Sequence, residues 1–268
     1  MVQALQSRGH VVAMTGDGVN DALALKDADI GIAMGNGAAA TRAVAQLVLL
    51  DGQFSRMPGV VAEGRRVIAN VERVSNLYVT KTVYAFAIAF TTGVLRWKYP
   101  FLPRHFTVIS TLTIGIPSFF LAIAPNTRRY LPGFVRRVLR FTVPAGVVAA
   151  IATLTCYGIV RNLAAMTVDR AAAISALVLM SCGLWVLLML SRPLTMQRSA
   201  LVAVMAALFG AVCALPSLRK FYALELPSSG AAWLIATSCM AVAVVMLELV
   251  AGKASRPVAA DNASAPSR

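Results

Sequence analysis

The chain has 268 residues, of which 58% are hydrophobic and only 13% charged, against about 25% charged in an ordinary soluble domain. A mean hydropathy of +0.72 excludes a disordered chain and leaves too few polar residues to cover a soluble core, so much of the surface must face lipid. The net charge of +14 is not spread evenly. Residues 1–51 hold three basic and five acidic side chains, and the remaining 22 basic and six acidic residues belong to the apolar part. Those cations fall in short loops between apolar runs rather than on one continuous face, which points to anionic lipid headgroups and away from nucleic acid.

In chain order, Met1–His10 reads as a mixed polar helix with no apolar core of a signal peptide. Three apolar stretches, Val11–Met14, Ile30–Ala33 and Leu47–Leu50, then read as buried parallel strands separated by helix-like segments. A segment of about 50 residues buries little surface, so residues 1–51 are expected to be the C-terminal part of a larger α/β domain, completed by sequence before Met1 or by another chain. Over residues 52–76, Met57, Val60, Val61, Val67, Ile68, Val71 and Val74 recur at helical spacing among charged residues. This predicts an amphipathic cytoplasmic stalk that runs into the first apolar span and could carry movement into the membrane.

Six apolar runs of membrane-crossing length follow, at about 77–95, 105–124, 141–160, 171–190, 199–215 and 231–251. The only Asp, Glu, Lys or Arg inside them are Lys81 and Glu248. Arg128, Arg129, Arg136, Arg137 and Arg140 lie between spans two and three, and Arg192 and Arg198 between spans four and five. With Arg56, Arg65, Arg66 and Arg73 before the first span and Lys253 and Arg256 after the last, the bias predicts both termini cytoplasmic, in a plasma (inner) membrane protein. Residues 77–251 are thus a six-helix transmembrane domain, and the Ala-, Ser- and Pro-rich tail 252–268 is expected to be disordered. Cys156, Cys182, Cys213 and Cys239 all fall in apolar runs without metal-ligand spacing.

The chemistry concentrates in Thr15, Gly16, Asp17, Gly18, Val19, Asn20 and Asp21. These follow the first strand and so occupy the carboxyl end of a parallel sheet, where open α/β folds bind ligands. Gly16 and Gly18 let backbone approach a bulky anion. Asp17 and Asp21 are hard oxygen donors suited to Mg2+, which takes one or two carboxylates plus phosphate oxygens. Asn20, at the start of the next helix, can offer its amide to a phosphoryl oxygen. A capped polar turn is the plain alternative for any one of these residues. Downstream, Gly35, Gly37 and Ala40 imitate a dinucleotide fingerprint ending at Asp51, although the intervening helix is short.

The whole string T-G-D-G-V-N-D-A-L-A-L-K-D-A-D-I-G-I-A-M-G, from Thr15 to Gly35, resembles the hinge signature of P-type ATPases, whose phosphorylation domain is haloacid-dehalogenase-like. One departure is Leu23, where that family usually has proline. The resemblance runs on through the stalk and six spans. It implies an α-helical membrane protein with six transmembrane helices preceded by an incomplete Rossmannoid α/β segment. It further implies an ATP-driven cation pump in which Asp17 ligates Mg2+, Asn20 contacts the phosphoryl group and Asp21 orders the site, with Thr15 and Gly16 beside them. Six spans after the hinge place the chain with calcium, sodium/potassium and proton types, near the bacterial calcium-pump-like and actinobacterial E-type branch, with calcium as the ion.

The family's phosphorylated D-K-T-G-T and its T-G-E loop do not occur in the sequence. The chain alone is therefore expected not to hydrolyse ATP, ATP being bound mainly by domains it lacks. Its expected partners are the bilayer, the transported cation and an N-terminal half of the pump. A catalytically inactive remnant, or a regulator of another pump, is the alternative. For the ion path the candidates are Lys81, Tyr84, Ser110, Thr113 and Pro117. Lys81 is a countercharge paired with Tyr84, the alternative being a Lys81 that reaches to the interface. In span two, hydroxyls sit beside a helix break at which Pro117 frees carbonyls for a cation, the alternative being hydroxyls bonded back to their own helix. Where calcium pumps carry Asn and Asp in this span, Ser110 and Ile114 stand here.

Overall fold

The computed structural model describes residues 1–126, 131–162, 166–226 and 229–252. Arg128, Arg129, Lys253, Arg256 and the tail from residue 253 lie outside the described residues. The chain divides into two compact units, Met1–Gly64 and the residues from Arg65 onward.

The first unit begins with the short helix α1 (Val2–Gln6), followed by strand β1 (Ala13–Gly16), helix α2 (Ala22–Asp27), strand β2 (Ile30–Met34), helix α3 (Ala39–Val44) and strand β3 (Leu47–Leu49). The strands form one parallel sheet in the order β1-β2-β3, with Ala13 opposite Ile30 and Ile32 opposite Leu47. Parallel pairing needs a crossover between successive strands, and α2 and α3 supply them. Ile32 and Ala33 of the central strand, Leu25 and Ala28 form its small core with Leu49. The strands are shifted from the apolar runs: β1 starts at Ala13 and ends at Gly16, β2 reaches Met34 and β3 stops at Leu49. Val11 is 82% exposed and Leu50 88% exposed, so both fall outside the ladder that their apolar neighbours join.

Helix α4 (Met57–Val94) runs without interruption for 38 residues. Then come α5 (Pro103–Ser110), a π-helical turn Thr111–Gly115, α6 (Ile116–Ile123), α7 (Phe134–Asn162), α8 (Val168–Leu190), α9 (Met196–Ala214), α10 (Pro216–Tyr222) and α11 (Gly230–Val250). Six helical segments are long and apolar enough to cross a membrane: Phe54–Val94, Pro103–Ile123, Phe134–Asn162, Val168–Leu190, Met196–Ala214 and Gly230–Val250. An α-helical membrane architecture preceded by an incomplete α/β segment is what the apolar runs led us to expect.

Within the second unit α8 is central. Every residue from Ala171 to Met180 is buried, as befits a helix that is apolar all round. Small residues allow close crossings: a Cβ at Gly146 of α7 would lie 2.6 Å from the Val83 Cβ of α4. Polar ties sit at helix ends. The buried Asn70 amide donates to the carbonyls of Ala122 and Ala124 at 3.0 and 2.7 Å, satisfying groups that the end of α6 leaves open. The Arg198 guanidinium donates to the carbonyls of Pro193 and Pro125. Glu248 accepts from Trp185 Nε1 and, at both oxygens, from Arg192 at 2.7 and 3.0 Å, which makes it an anchor between α8, the following loop and α11.

Candidate functional site

The loop after β1 is held by its own side chains and by α3. Asp21 folds back so that its Oδ2 accepts from the Gly18 N–H at 3.2 Å, while its own N–H donates to the Gly18 carbonyl at 3.1 Å. This reciprocal pair closes the short 3-10 turn Val19–Asp21. Glycine is required at position 16 because a Cβ there would lie 2.6 Å from the Asp21 Cβ and 2.8 Å from its Oδ2. Two further anchors arrive from much later in the chain. The buried Thr41 hydroxyl donates to the Gly18 carbonyl at 2.7 Å, and the Ala38 N–H to the Asp17 carbonyl at 2.8 Å. At Gly37 a Cβ would come within 2.8 Å of that same carbonyl. Neither Thr41 nor Ala38 carries a local signal beyond its place at the start of the helix after the second strand.

Five sequence candidates therefore share one loop. Thr15 and Gly16 end the strand, Asp17 leaves it, and Asn20 and Asp21 lie in the turn. Asp17 and Asn20 are exposed and Asp21 is half-buried. With its backbone clamped, Asp17 presents a carboxylate that makes no hydrogen bond or ion pair among the described residues. Asp21 commits one oxygen to the loop itself. No group of three or more His, Cys, Asp or Glu converges among the described residues. One open carboxylate, one half-committed carboxylate and an adjacent amide fit Mg2+, whose remaining ligands are normally water and phosphate.

The dinucleotide-like glycines serve packing instead. A Cβ at Gly35 would lie 2.4 Å from the Leu50 carbonyl, and Asp51 is paired with Arg56 at 3.1 Å.

In the second unit the ion-path candidates do not form one cluster of partners. Lys81 is half-buried, and Tyr84 is buried with a hydroxyl that has no hydrogen-bond partner among the described residues, as is the Ser110 hydroxyl. Thr113 is buried and donates to the Ile109 carbonyl at 2.8 Å. Pro117 is buried at the start of α6. The π turn just before it goes beyond the kink that proline predicts. The Ile116 N–H donates to the Thr111 carbonyl, a step of five residues. The Leu112 carbonyl thereby loses its usual helical donor, and the next position, Pro117, has no N–H to offer.

No family model matches the chain. Curated relatives do. It is 46% identical over 238 residues to the calcium-transporting ATPase CtpE of Mycolicibacterium smegmatis, a match covering 84% of this chain and 30% of that protein. Over 257 residues it is 45% identical to CtpE of Mycobacterium bovis, covering 91% of this chain and 32% of the relative. It is also 38% identical over 125 residues to the endoplasmic reticulum calcium ATPase srcA of Aspergillus fumigatus, covering 47% of this chain and 13% of the relative. The chain thus spans about a third of the length of the two CtpE proteins.

Proposed function

Because this chain belongs to the P-type cation-transporting ATPases, we propose that it supplies the Mg2+-holding hinge and the C-terminal transmembrane helices of an ATP-driven calcium pump. The observation that carries this reading is the open Asp17 carboxylate at the carboxyl end of β1, on a backbone clamped by Ala38 and Gly37. It is supported by relatives that are calcium-transporting ATPases.

In this reading Asp17 holds Mg2+ through a carboxylate oxygen. Asn20 offers its amide to a phosphoryl oxygen, and Asp21 keeps Gly18 in place so that Thr15, Gly16 and Asp17 stay in register. When bound, Mg2+ supplies charge neutralisation of the phosphoryl group. The phosphorylated aspartate and most of the ATP contacts come from a complementing N-terminal half. Calcium draws its ligands from the π turn before Pro117, where the freed Leu112 carbonyl and the Ser110 and Thr113 hydroxyls offer oxygens, with Lys81 and Tyr84 of α4 as the remaining ion-path candidates. The protein lies in the plasma membrane with both termini in the cytoplasm, as the arginine-rich loops favour.

The test is co-production of this chain with the complementary part of the Mycolicibacterium smegmatis relative, followed by exposure to radiolabelled ATP and Mg2+. Acid-stable label on the complementary part that disappears with Asp17→Asn is expected. Label formed equally with and without this chain refutes the proposal and favours a regulatory remnant.

A further inference from the structure

Helix α7 opens with Arg136, Arg137 and Arg140 and has no acidic residue in its first turn. Arg137 is neutralised within the protein by Glu72, with Nη2 2.8 Å from Oε2. Arg136 and Arg140 are exposed and make no hydrogen bond or ion pair among the described residues. They lie one turn apart, about 6 Å along the axis at 1.5 Å per residue.

The face they share continues as Val143, Val147 and Ile151, which are 44%, 40% and 59% exposed. The opposite face, with Phe141, Ala145, Ala149 and Cys156, is buried in the helical core. Exposed apolar residues in register along a membrane-length helix face hydrocarbon. From Arg140 to Ile151 is roughly 16 Å of axis, close to one leaflet of a hydrocarbon core about 30 Å thick. In a bilayer crossed by α7, the two guanidinium groups would stand at headgroup depth above this exposed apolar stripe. Phosphate is the anion that a guanidinium fork matches best.

We propose that Arg136 and Arg140 bind the headgroup phosphate of an anionic phospholipid whose acyl chains lie along Val143, Val147 and Ile151. The site requires the membrane-spanning architecture and not the pump chemistry, so failure of the phosphorylation experiment leaves it standing. Charge complementarity selects the occupant: two uncompensated cations head a stripe that offers lipid tails an apolar surface and offers a water-soluble anion none.

The purified chain in detergent, titrated with phosphatidylglycerol and read by native mass spectrometry, tests this. Arg136→Gln/Arg140→Gln is expected to weaken phosphatidylglycerol retention about tenfold, which is about 1.4 kcal/mol. The charge-matched control Arg96→Gln/Lys98→Gln, and phosphatidylcholine in place of the anionic lipid, should show no such change. Should the glutamine pair not fold, Arg136→Lys/Arg140→Lys keeps the charge without the fork and is expected to lose about threefold. Equal loss in the control, undiminished retention by the lysine or glutamine pair, or full competition by inorganic phosphate overturns the proposal.

Discussion

Replacing Asn70 with Ala probes the tie between α4 and the end of α6. Asn70 is 2% exposed. Its amide donates to the Ala122 and Ala124 carbonyls at 3.0 and 2.7 Å, and its Oδ1 accepts from Asn126 Nδ2 at 3.0 Å. A net worth of about 1 kcal/mol per hydrogen bond gives about 2–3 kcal/mol for the set. The lower end applies because Ala122 is exposed, so its carbonyl can recover a bond to water. Asn70→Asp keeps the acceptor but aims negative charge at two carbonyl oxygens, and should cost at least as much. Equilibrium unfolding of the chain in detergent, followed by circular dichroism, measures both. Thr82→Ala is the comparison: that exposed hydroxyl bonds only back to the Tyr78 carbonyl and should change stability by no more than about 0.5 kcal/mol. An Asn70→Ala protein as stable as Thr82→Ala refutes the reasoning.

Two further outcomes follow from particular contacts. At Gly183 a Cβ would lie 2.8 Å from Thr113 Cγ2, so Gly183→Ala should destabilise by about 1–3 kcal/mol; Thr113→Ser removes that methyl and should restore part of the loss in the same unfolding assay. In the first unit the Val12 N–H, donating at 2.8 Å, and then the Gln6 amide hold the Asp29 carboxyl below its ordinary pKa. A depressed native pKa means that the contribution is present above the ordinary carboxylate range and is lost as pH falls through the native value. Exchange protection of the Val12 amide should fall in that window and become flat with pH in Asp29→Asn, and a pH-dependent loss that persists in Asp29→Asn would contradict this.

Much of this was legible because its causes are local. Apolar runs marked all six membrane-length helices, since lipid penalises charge wherever it falls in a helix, although the first and third begin well before the expected spans, at Phe54 and Phe134. The Thr15–Asp21 string marked a closed loop because Gly16, Gly18 and Asp21 solve its geometry among themselves. Features that depend on distant partners were not legible. Thr41 reads as an ordinary helical residue until its hydroxyl is seen on the Gly18 carbonyl, and Asn70 reads as part of a polar face until the end of α6 is placed beside it. The π turn at Thr111–Gly115 has only Pro117 as a local sign, while Gly183 packs against its Thr113 from another helix. Helix α10, begun by Pro216 and carrying Arg219 and Lys220, was hidden by its polar, loop-like composition. Val11 and Leu50 misled in the other direction, being apolar yet exposed at strand ends.

The most direct measurement is ATP-driven uptake of radioactive calcium into inside-out membrane vesicles that hold this chain together with a complementing N-terminal half. Uptake that requires both pieces and Mg2+, and that vanishes with Asp17→Asn while the variant chain remains in the membrane at the parent's level, is the predicted result. Uptake undiminished by Asp17→Asn, or none from the parent pair, contradicts the account.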